Sequence, residues 1–543
     1  MIADIGDFEN DSLVECDVCV VGSGAAGLAL AAELAKSPLS VVVLESGGEH
    51  DEPESQALYD AQISGLRYTG ARDGRFRVFG GATTRWGGQA LPLTELDFEQ
   101  RTWVSHSGWP IRLATLAPYY SRACRFLRLD ELDFERDPIQ HFRARVPAFD
   151  GSVLQYHYAK WSPTADLRRV ERSGIAAARN LTLILHANAT EIRLDEDHRR
   201  VVALEARSLR SRRIRVRARH YVLSCGGLET ARLLLANRSQ QRSGIGNEHD
   251  LVGRFLQDHP GAEIGYVVPR DEHALQRTFN LFHRRRVKYS VRCSATPALQ
   301  RDAEILNVSG SVMFLAGERS PYESLRLAYH KLRRRQMDAE LARYLGRCVV
   351  HARHLARPAF DYYVRRRSFT PGAKFPFVVT MEQEPNPQSR VTLSDDVDAL
   401  GMPKLRVNWQ LTDLTRRTIT TFAKRVREQF ESAGIGTIAL FDWVVDGEGW
   451  AEQLADHYHH IGTTRMHESP QKGVVDANLR LHAVDNLHIA SSAAFPTSGH
   501  SNPTLTLLAL CMRLADRLKA EALRPTPIAA LAGASVRDES VTN

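Results

Sequence analysis

Three glycines near the N-terminus are spaced as G-x-G-x-x-G, a pattern that binds dinucleotides. Gly22, Gly24 and Gly27 allow, in turn, a tight turn, a close approach of pyrophosphate, and packing of a helix on a strand. Glu45 follows Gly27 by eighteen residues, where a carboxylate can accept hydrogen bonds from an adenosine ribose. The pattern predicts a dinucleotide site, and by itself it leaves FAD and NAD both open.

A histidine cluster, His457, His459 and His460, is a second group whose residue types can do chemistry. On a strand, residues 457 and 459 would share a face, as a pair of metal ligands does. A metal site usually needs a third ligand and supporting partners, which the neighbouring sequence does not clearly offer. We therefore predict no metal, and a purely structural His459 stays as an alternative.

The elements that must hold the glycines form one βαβ unit from Asp17 to Glu45. An apolar strand, the glycine turn, a helix rich in Ala and Leu, and the β-branched run Val41 to Leu44 follow one another. Further on, LTLILHA, TEIRL, VVALEA, RRIRVRA and HYVLS predict a small antiparallel element that returns to the main sheet at Tyr221 to Ser224. The glycine pair that comes next leaves the backbone bare where a ligand can approach.

Length and composition define the class of protein. A chain of 543 residues is too long for one ordinary core, and 43% hydrophobic with 25% charged residues is typical of a globular protein without membrane spans. The acidic start, Met1 to Glu15, lacks the features of a secretory signal, so we expect a cytoplasmic protein. Seven scattered cysteines predict reduced thiols, with Cys16 and Cys19 on opposite faces of a buried strand.

The net charge of +7 is unevenly distributed along the chain. Residues 325–368 are rich in Arg and Lys, including KLRRRQ at Lys331 to Gln336 and VRRRS at Val364 to Ser368. Such a run is typical of a solvated helix face; its functional alternatives are docking on an anionic membrane surface or on an acidic redox partner. Because no recognised nucleic-acid module accompanies the charge, we predict no nucleic-acid partner.

Segments spread along nearly the whole chain resemble one family, the glucose–methanol–choline (GMC) flavoprotein oxidoreductases. The resemblance is carried by FGGATTRWGG (79–88), YHHIGTTRM (458–466) and NLHIASSAAFPTSGHSNPTLTLLAL (486–510), and it is supported by VLSCGGLETARLLL (222–235), LVGRFLQDHP (251–260) and EPNPQSRVTLS (384–394). It implies an α/β fold in which a Rossmann-like FAD-binding domain is joined to a substrate-binding domain built on an antiparallel sheet with helices, similar to p-hydroxybenzoate hydroxylase.

The resemblance also implies FAD held along its full length, with its isoalloxazine ring beneath the Gly80 to Trp86 loop and the Asn502 to Thr504 turn. Where relatives attach the flavin covalently to a histidine, this chain has Arg85, so we predict dissociable FAD. Arg85 either stabilises negative charge near the flavin or forms a surface or phosphate salt bridge. The predicted cofactor contacts are Gly22, Ser23, Gly24, Ala25, Ala26, Gly27, Glu45, Ser46, Gly80, Gly81, Thr84, Arg85, Trp86, Gly87, Gly88, Ala189, Cys225, Gly226, Ser491, Asn502, Pro503 and Thr504.

The same resemblance implies two catalytic positions. By the spacing H-x-x-G-T the first maps to His459, and by the run N-P-T-L-T the second maps to Asn502. An alcohol carbon gives up hydride readily only if its hydroxyl proton is removed, and an imidazole with an ordinary pKa of about 6.5 is a suitable base. Asn502 can donate a second hydrogen bond to the same oxygen. His500 is a further candidate that replaces or assists Asn502.

The His–Asn pair resembles the sugar and sterol branches of the family. It predicts an FAD-dependent dehydrogenase or oxidase acting on a hydroxyl of a sugar, glycoside or cyclitol, with oxygen, a quinone, a cytochrome or another carrier as electron acceptor. The alternatives are an NAD-dependent alcohol dehydrogenase and a flavin-binding electron-transfer subunit without substrate chemistry. We predict an FAD-binding domain from 1–110, 165–275 and 465–523, a substrate-binding domain from 111–164 and 276–464, and a disordered tail at 524–543.

Overall fold

The computed structural model describes residues 1–144, 146–318, 320–333 and 335–522, so the tail predicted at 524–543 lies outside the described residues. The strands are β1 (Ile2–Asp4), β2 (Ser12–Val21), β3 (Val41–Leu44), β4 (Ala61–Ile63), β5 (Gln89–Ala90), β6 (Leu154–Trp161), β7 (Leu181–Leu185), β8 (Asn188–Leu194), β9 (Val201–Arg207), β10 (Arg213–Leu223), β11 (Gly261–Pro269), β12 (Phe282–Arg284), β13 (Val287–Ala295), β14 (Val308–Val312), β15 (Pro376–Met381), β16 (Arg390–Val397), β17 (Pro403–Asn408), β18 (Gly436–Leu440) and β19 (Leu487–Ile489). The α-helices are α1 (Ala25–Leu34), α2 (Pro53–Ala57), α3 (Glu95–Phe98), α4 (Leu113–Phe126), α5 (Arg136–His141), α6 (Leu167–Ala177), α7 (Gly227–Ala236), α8 (Glu272–Phe279), α9 (Pro297–Asp302), α10 (Pro321–Arg333), α11 (Ala339–Val350), α12 (Ala352–Tyr363), α13 (Asp413–Ser432), α14 (Asp442–Asp446) and α15 (Thr504–Ala522).

The first sheet contains the strands on either side of the glycine turn. Its order is β1-β7-β3-β2-β10-β9-β8, and β19 also pairs with β10. Strands β1, β7, β3, β2, β10 and β19 are parallel, whereas β9 and β8 form an antiparallel extension. The second half of β2 and all of β3 are buried, as central parallel strands covered on both faces are. The predicted βαβ unit is therefore confirmed as β2, α1 and β3.

Strand β10 corrects one boundary of the sequence analysis. RRIRVRA and HYVLS, interpreted as two strands, form one strand of eleven residues. Its first half alternates between buried and more exposed residues and pairs with β9, while Tyr221–Leu223 are all buried and pair with β19. The change from an alternating to a continuously apolar pattern therefore marks the passage of one strand from the sheet edge into the core.

The second sheet is antiparallel throughout and has two unlike faces. Its order is β18-β11-β15-β14-β13-β6-β5, with β12 pairing with β13. One face carries Tyr158, Tyr289 and Phe377, whose side chains are fully buried. On the opposite face Arg292 lies across from His157, and Ser290 and Ser294 flank Arg292 on its own strand. Such a sheet packs on its core through the apolar face and presents the polar face to the rest of the molecule.

The remaining elements are the helices and a third, small sheet, which pack on one another and on the glycine-turn region. Helix α15 packs against α1 and α4, and α1 is buried nearly all round. A third, small sheet, in the order β16-β17-β4, packs against α7. Helices α10, α11 and α12 pack on one another. The packing of α15 on α1 thus fixes the position of α15 relative to the glycine turn that precedes α1.

Two expectations about chemistry outside the site can be examined in this fold. Among the described residues, no helix combines the length and the apolar character that crossing a bilayer requires. All seven cysteines lie in described residues as free thiols, and burial raises the pKa of Cys16 to about 12 and that of Cys19 well above its usual range. Since the thiolate is the reactive form, this C-x-x-C pair is not suited to redox or metal chemistry.

Candidate active site

The glycine turn between β2 and α1 forms a cradle that tolerates no side chain at its base. A Cβ atom on Gly27 would lie 1.9 Å from the Gly22 carbonyl oxygen, and one on Gly22, which has φ +99°, would lie 2.8 Å from the carbonyl oxygen of Ser224. A Cβ on Gly24 would meet nothing within 4 Å, and no side chain caps helix α1 there. The first N–H groups of α1 are thus open to an anion, which fits the pyrophosphate of a dinucleotide.

Glu45, directly after β3, organises this turn. Its carboxylate accepts hydrogen bonds from the Ser23 backbone N–H (3.0 Å) and hydroxyl (2.6 Å), from the Gly47 N–H (2.9 Å) and from the Ser46 hydroxyl (3.2 Å). Burial raises the pKa of Glu45 against the effect of these hydrogen bonds. The carboxylate therefore ties the end of β3 to the glycine turn, and its predicted contact with a ribose stays a prediction.

A cavity of about 210 Å³ continues from the glycine turn. Of the predicted cofactor contacts, it is lined by Gly22, Gly24, Glu45, Ser46, Gly81, Ala189, Cys225 and Gly226. The residues Ser23, Ala25, Ala26, Gly27, Gly80, Thr84, Arg85, Trp86, Gly87, Gly88, Ser491, Asn502, Pro503 and Thr504 are not among its lining residues. The cavity therefore brings together residues of the predicted nucleotide end from five separate segments of the chain.

An ionic cluster that was not predicted from the sequence lies in the wall of this cavity. The guanidinium groups of Arg75 and Arg77 lie 3.8 and 4.4 Å from the ring centre of Tyr59, and each donates to Glu229 at 2.8 Å. Burial alone would raise the pKa of Glu229, but Arg232 and these two arginines outweigh it and lower that pKa to about 2. The pattern R-x-R at 75–77, inside a stretch interpreted only as a loop, was the available signal.

The loop at residues 80–88 lies against the glycine turn and against the second sheet. Gly80 donates its N–H to the Ser23 hydroxyl at 3.2 Å, and a Cβ on Gly81 would lie 3.0 Å from Cα of Gly24. At the other end of the loop, the Trp86 indole donates to the Ala165 carbonyl at 2.7 Å, and a Cβ on Gly87 would lie 2.7 Å from the Trp161 ring.

Two further predicted contacts have local partners. The Thr84 hydroxyl donates to the carbonyl of Gly81 at 2.8 Å, and the Ser491 hydroxyl accepts the N–H of Ala493 at 3.2 Å. Arg85 pairs with Asp51 at the surface, where both side chains are about half exposed. Of the two predicted roles of Arg85, the structure favours the surface salt bridge.

His459 and Asn502, 43 positions apart in the sequence, face each other at the catalytic end. The amide nitrogen of Asn502 lies 3.4 Å from Nε2 of His459, and both residues are half-buried. Pro503 is buried, and Thr504 begins helix α15, so Asn502 lies at the N-terminal end of a long helix. The two residues assigned by resemblance are thus brought together around one nitrogen atom.

A second histidine determines which nitrogen of His459 carries the proton. Nε2 of His259 lies 2.9 Å from the Gly499 carbonyl oxygen, which can only accept, so this nitrogen carries a hydrogen. Nδ1 of neutral His259 is then an acceptor, and it lies 2.8 Å from Nδ1 of His459. Nδ1 of His459 therefore carries its hydrogen, and Nε2 presents a lone pair toward Asn502.

Burial keeps both rings neutral. It lowers the pKa of His459 to about 3, with further lowering from His457, His460 and Arg292, and it lowers the pKa of His259 to about 3 as well. Neutral imidazoles are what the hydrogen-bond assignment requires. Nε2 of His459 is accordingly a base that is ready at neutral pH.

The backbone around His459 is held by Asp258. Its carboxylate accepts hydrogen bonds from the backbone N–H groups of His259 (2.7 Å), His457 (3.0 Å) and His459 (3.1 Å), and from the Tyr68 hydroxyl (2.9 Å). The sequence analysis missed Asp258 and His259, although LVGRFLQDHP contains both. A carboxylate next to a histidine in that segment was the signal.

The histidine cluster does not lie on a strand, which corrects the geometry considered for it. Nδ1 of His457 hydrogen-bonds the His259 carbonyl at 2.6 Å, and His460 bonds the Gly70 carbonyl at 2.7 Å. Ligand atoms of Asp258, His259 and His459 do lie within 4.8 Å of one another. Two nitrogens on a tetrahedral zinc at its usual bond length are about 3.3 Å apart, so the 2.8 Å separation of the two Nδ1 atoms fits a hydrogen bond better.

His500 lies in a separate, buried hydrogen-bonded group. Its Nδ1 is 2.9 Å from Oδ1 of Asn307, and its Nε2 is 3.2 Å from Nε2 of His157, whose Nδ1 bonds Ser294 at 3.1 Å. His500 and His157 line a second cavity, of about 410 Å³. Both ring nitrogens of His500 are thus engaged away from His459.

Family models described as GMC oxidoreductase match residues 174–261 and 385–511, and one described as an NAD(P)-binding Rossmann-like domain matches residues 20–49. The chain is 23% identical to the fructose dehydrogenase large subunit of Gluconobacter japonicus, over 94% of this chain and 99% of that protein. It is 26% identical to the 6'''-hydroxyparomomycin C oxidase of Streptomyces lividus, over 92% and 90% of the two chains. An FAD-dependent oxidoreductase from Chaetomium thermophilum has a similar fold, with a TM-score of 0.56, 16% identity, and 93% and 99% of the two chains covered.

Two glycine substitutions should separate folding from cofactor binding. Gly27→Ala places a Cβ against the Gly22 carbonyl and should lower the melting temperature even of cofactor-free protein. Gly24→Ala meets no protein atom, so cofactor-free protein should melt like the unsubstituted chain while its affinity for the dinucleotide falls. Thermal unfolding and fluorescence titration with the cofactor measure the two effects; a stability loss in the Gly24 variant would contradict this account of the cradle.

We also expect His259 to act through His459. His259→Leu removes the acceptor for Nδ1–H of His459 and should lower the limiting rate of substrate oxidation by about 10- to 100-fold, with little change in KM. His259→Asn offers an amide oxygen as acceptor and should restore most of that rate. If the Leu and Asn variants were equally slow at equal thermal stability, the role assigned to His259 would be wrong.

Proposed function

The chain belongs to the GMC oxidoreductase family, FAD-dependent enzymes that act on CH–OH donors, and from this premise we propose that it oxidises a hydroxyl-bearing carbon of a sugar, glycoside or cyclitol. The observation that carries the proposal is the pairing of His459 with Asn502 around an unprotonated Nε2. The sugar-like class is supported by two similar proteins, a fructose dehydrogenase large subunit and a 6'''-hydroxyparomomycin C oxidase.

In the proposed reaction His459 is the general base. Its Nε2 takes the proton of the substrate hydroxyl, while the Asn502 amide donates a hydrogen bond to the same oxygen and fixes its position. Bound FAD supplies the hydride acceptor. His259 passes no proton in this step, because its Nε2–H stays on the Gly499 carbonyl and its Nδ1 holds the ring of His459 in orientation.

The residues that would hold FAD are those of the cradle and the cavity. Gly22, Gly24 and the first turn of α1 would bind the pyrophosphate, and the cavity beyond Glu45 would take the adenosine. A histidine is absent from position 85, where relatives attach flavin covalently, so we propose dissociable FAD. The NAD-dependent alternative is set aside, because FAD is the cofactor of the family to which the chain belongs.

We keep the predicted division into domains as part of the proposal. It places Asn502 in the FAD-binding part (1–110, 165–275 and 465–523) and His459 in the substrate-binding part (111–164 and 276–464). The parallel sheet would form the core of the first part, and the antiparallel sheet, which also contains β5 and β11 from the first part, would form the core of the second. Catalytic residues would then meet at the boundary, where binding sites commonly lie.

Substitution of His459 tests the proposed base. His459→Ala should retain FAD and lower the rate at which a sugar bleaches the flavin anaerobically by about 10²- to 10⁴-fold. His457→Gln, in the same loop, keeps a donor for the His259 carbonyl and serves as the control with a near-normal rate. Unchanged bleaching in the His459 variant would support the alternative of an electron-transfer subunit.

The pH dependence of the same reaction gives a second readout. A general base acts when unprotonated, and the pKa of His459 lies at about 3, so protonation removes activity only as the pH falls toward that value. With a neutral sugar, the limiting rate of flavin bleaching should therefore be level from about pH 5.5 to 8. A fall with a midpoint near the ordinary histidine pKa would show that His459 is not held neutral by burial.

For the basic segment we propose docking on an anionic membrane surface. Residues 325–368 contain twelve Lys and Arg residues against three Asp and Glu residues, a surplus of nine in a chain whose total is +7. Large apolar side chains are exposed among these charges: Val349 and Val350 at the end of α11 are 77% and 76% exposed, and Tyr363 at the end of α12 is 69% exposed. Exposed aliphatic and aromatic groups beside arginines match the interface of an anionic bilayer.

Vesicle binding tests this surface. The protein should sediment with vesicles that contain phosphatidylserine and not with pure phosphatidylcholine, and the double variant Val349→Glu, Val350→Glu should lose most of that binding. Val445→Glu is a matched control, because Val445 is 60% exposed on α14 outside the segment. Absence of binding to phosphatidylserine at low ionic strength would leave an acidic redox partner as the alternative.

A further inference from the structure

Arg292, in the middle of β13, lies on the polar face of the second sheet and has no acidic partner among the residues that the structure describes. Its Nη1 donates to the Ser309 hydroxyl at 3.0 Å and its Nη2 to the Gln89 side-chain oxygen at 3.4 Å. Nε is buried and has no hydrogen-bond partner among the described residues. The guanidinium is therefore held in place by neutral groups and keeps its charge and part of its donor capacity.

Two other buried arginines, Arg101 and Arg232, are neutralised, whereas Arg465, whose pKa burial also lowers to about 10, stacks on the ring of Phe255. Arg101 makes a two-pronged ion pair with Glu382 at 2.6 and 2.7 Å, and Arg232 donates to Asp398 at 2.6 Å. Burial instead lowers the pKa of Arg292 to about 10, and no carboxylate opposes the shift. An uncompensated charge in such a place is costly, which points to a negative group supplied from outside the chain.

The position of Arg292 relates it to the catalytic pair. It lies opposite His157 in the sheet, and its partner Gln89 follows the glycine loop at residues 80–88. Its positive charge also helps to lower the pKa of His459. The imidazoles of His157, His459 and His500 are neutral because burial lowers their pKa values, so they do not repel an anion. Arg292 thus places a permanent positive charge on the sheet side of the site.

We propose that Arg292 binds a carboxylate of the substrate, so that the enzyme acts on a sugar acid or a related hydroxy acid. The inference rests on the proposed function, since His459 and Asn502 would take the hydroxyl to be oxidised. Nη2, held only by a 3.4 Å hydrogen bond to Gln89, is the nitrogen that would donate to the carboxylate, and the buried, unpartnered Nε lies beside it on the same side of the guanidinium. The single charge of one guanidinium matches a carboxylate better than a phosphate dianion.

The first experiment compares uronates with the corresponding neutral sugars. Glucuronate and glucose, and galacturonate and galactose, differ in having a carboxylate or a hydroxymethyl group at one carbon. The native enzyme should prefer the uronate, measured as kcat/KM of anaerobic flavin bleaching, and Arg292→Gln should lower this preference by about 10- to 100-fold. Arg292→Lys should restore part of it, whereas Lys288→Gln, on the same strand above the Trp161 ring, should leave it unaltered.

The second experiment measures binding without turnover. Glutarate, a carboxylate without a hydroxyl, should perturb the flavin absorption spectrum of the native holoenzyme, and its Kd should rise by at least tenfold in the Arg292→Gln variant. Arg292→Gln removes an unpaired charge and Arg292→Lys retains it, and neither breaks an ion pair. Both variants should therefore melt no lower than the native protein.

The outcomes separate this inference from the proposed function. If neutral sugars bleach the flavin but the uronate preference is absent or unaffected by Arg292→Gln, the carboxylate site is overturned and the function stands. If glutarate binds through Arg292 but His459→Ala leaves bleaching unchanged, the carboxylate site stands and the proposed base is wrong. Equal slowing of all substrates by Arg292→Gln, with weaker sulfite addition to the flavin, would assign the arginine to flavin charge instead and overturn the proposal.

Discussion

The proposed catalytic end of this molecule depends on the direction of one hydrogen bond, between the Nδ1 atoms of His259 and His459. Because the Gly499 carbonyl can only accept, it fixes the proton of His259, and His259 in turn fixes the proton of His459. If the direction of these hydrogen bonds were reversed, Nε2 of His459 would carry a hydrogen and could not act as a base. A main-chain oxygen, which no side-chain substitution alters, therefore sets the protonation pattern of the site.

The framework holds this chain of bonds mainly through its backbone. Gln257 and Ile461 form an isolated bridge, which brings the segment of His259 beside that of His459. The N–H groups of Thr464 and Met466 donate to the carbonyls of Ala493 and Ala494, which brings the same loop beside the segment that leads to Asn502. The carboxylate of Asp258 adds hydrogen bonds from the backbone N–H groups of His259, His457 and His459. Because most of these contacts involve backbone atoms, substitution of a side chain in the pocket can change the chemistry while the distances between the three segments are kept.

The cofactor-binding fold could be predicted from the sequence, but at the proposed catalytic end only His459 and Asn502 were identified, and His259 and Arg292 were not. Gly22 to Gly27 and the strands around them are local, and period and glycine spacing are enough to predict them. His459 and Asn502 were assigned only by resemblance, since nothing in periodicity relates residues 43 positions apart. His259 and Arg292 were missed for a physical reason, because the role proposed for each depends on a group that its neighbours lack. The Gly499 carbonyl beside His259 cannot donate a hydrogen bond, and the side chains that Arg292 contacts, Ser309 and Gln89, are not carboxylates. Such absences are properties of a packed site and not of a sequence pattern.

Burial makes His459 neutral, and it also makes it a weak base, because the protonated ring is poorly solvated and lies near the charge of Arg292. A proton taken from a hydroxyl would add a second positive charge to the same region. On the proposed assignment, a substrate carboxylate on Arg292 cancels the first charge before the second one forms, and so raises the pKa of His459 when substrate is bound. The base would then be strongest only in the complex that uses it, and substrate recognition and base strength would be two effects of the same ion pair.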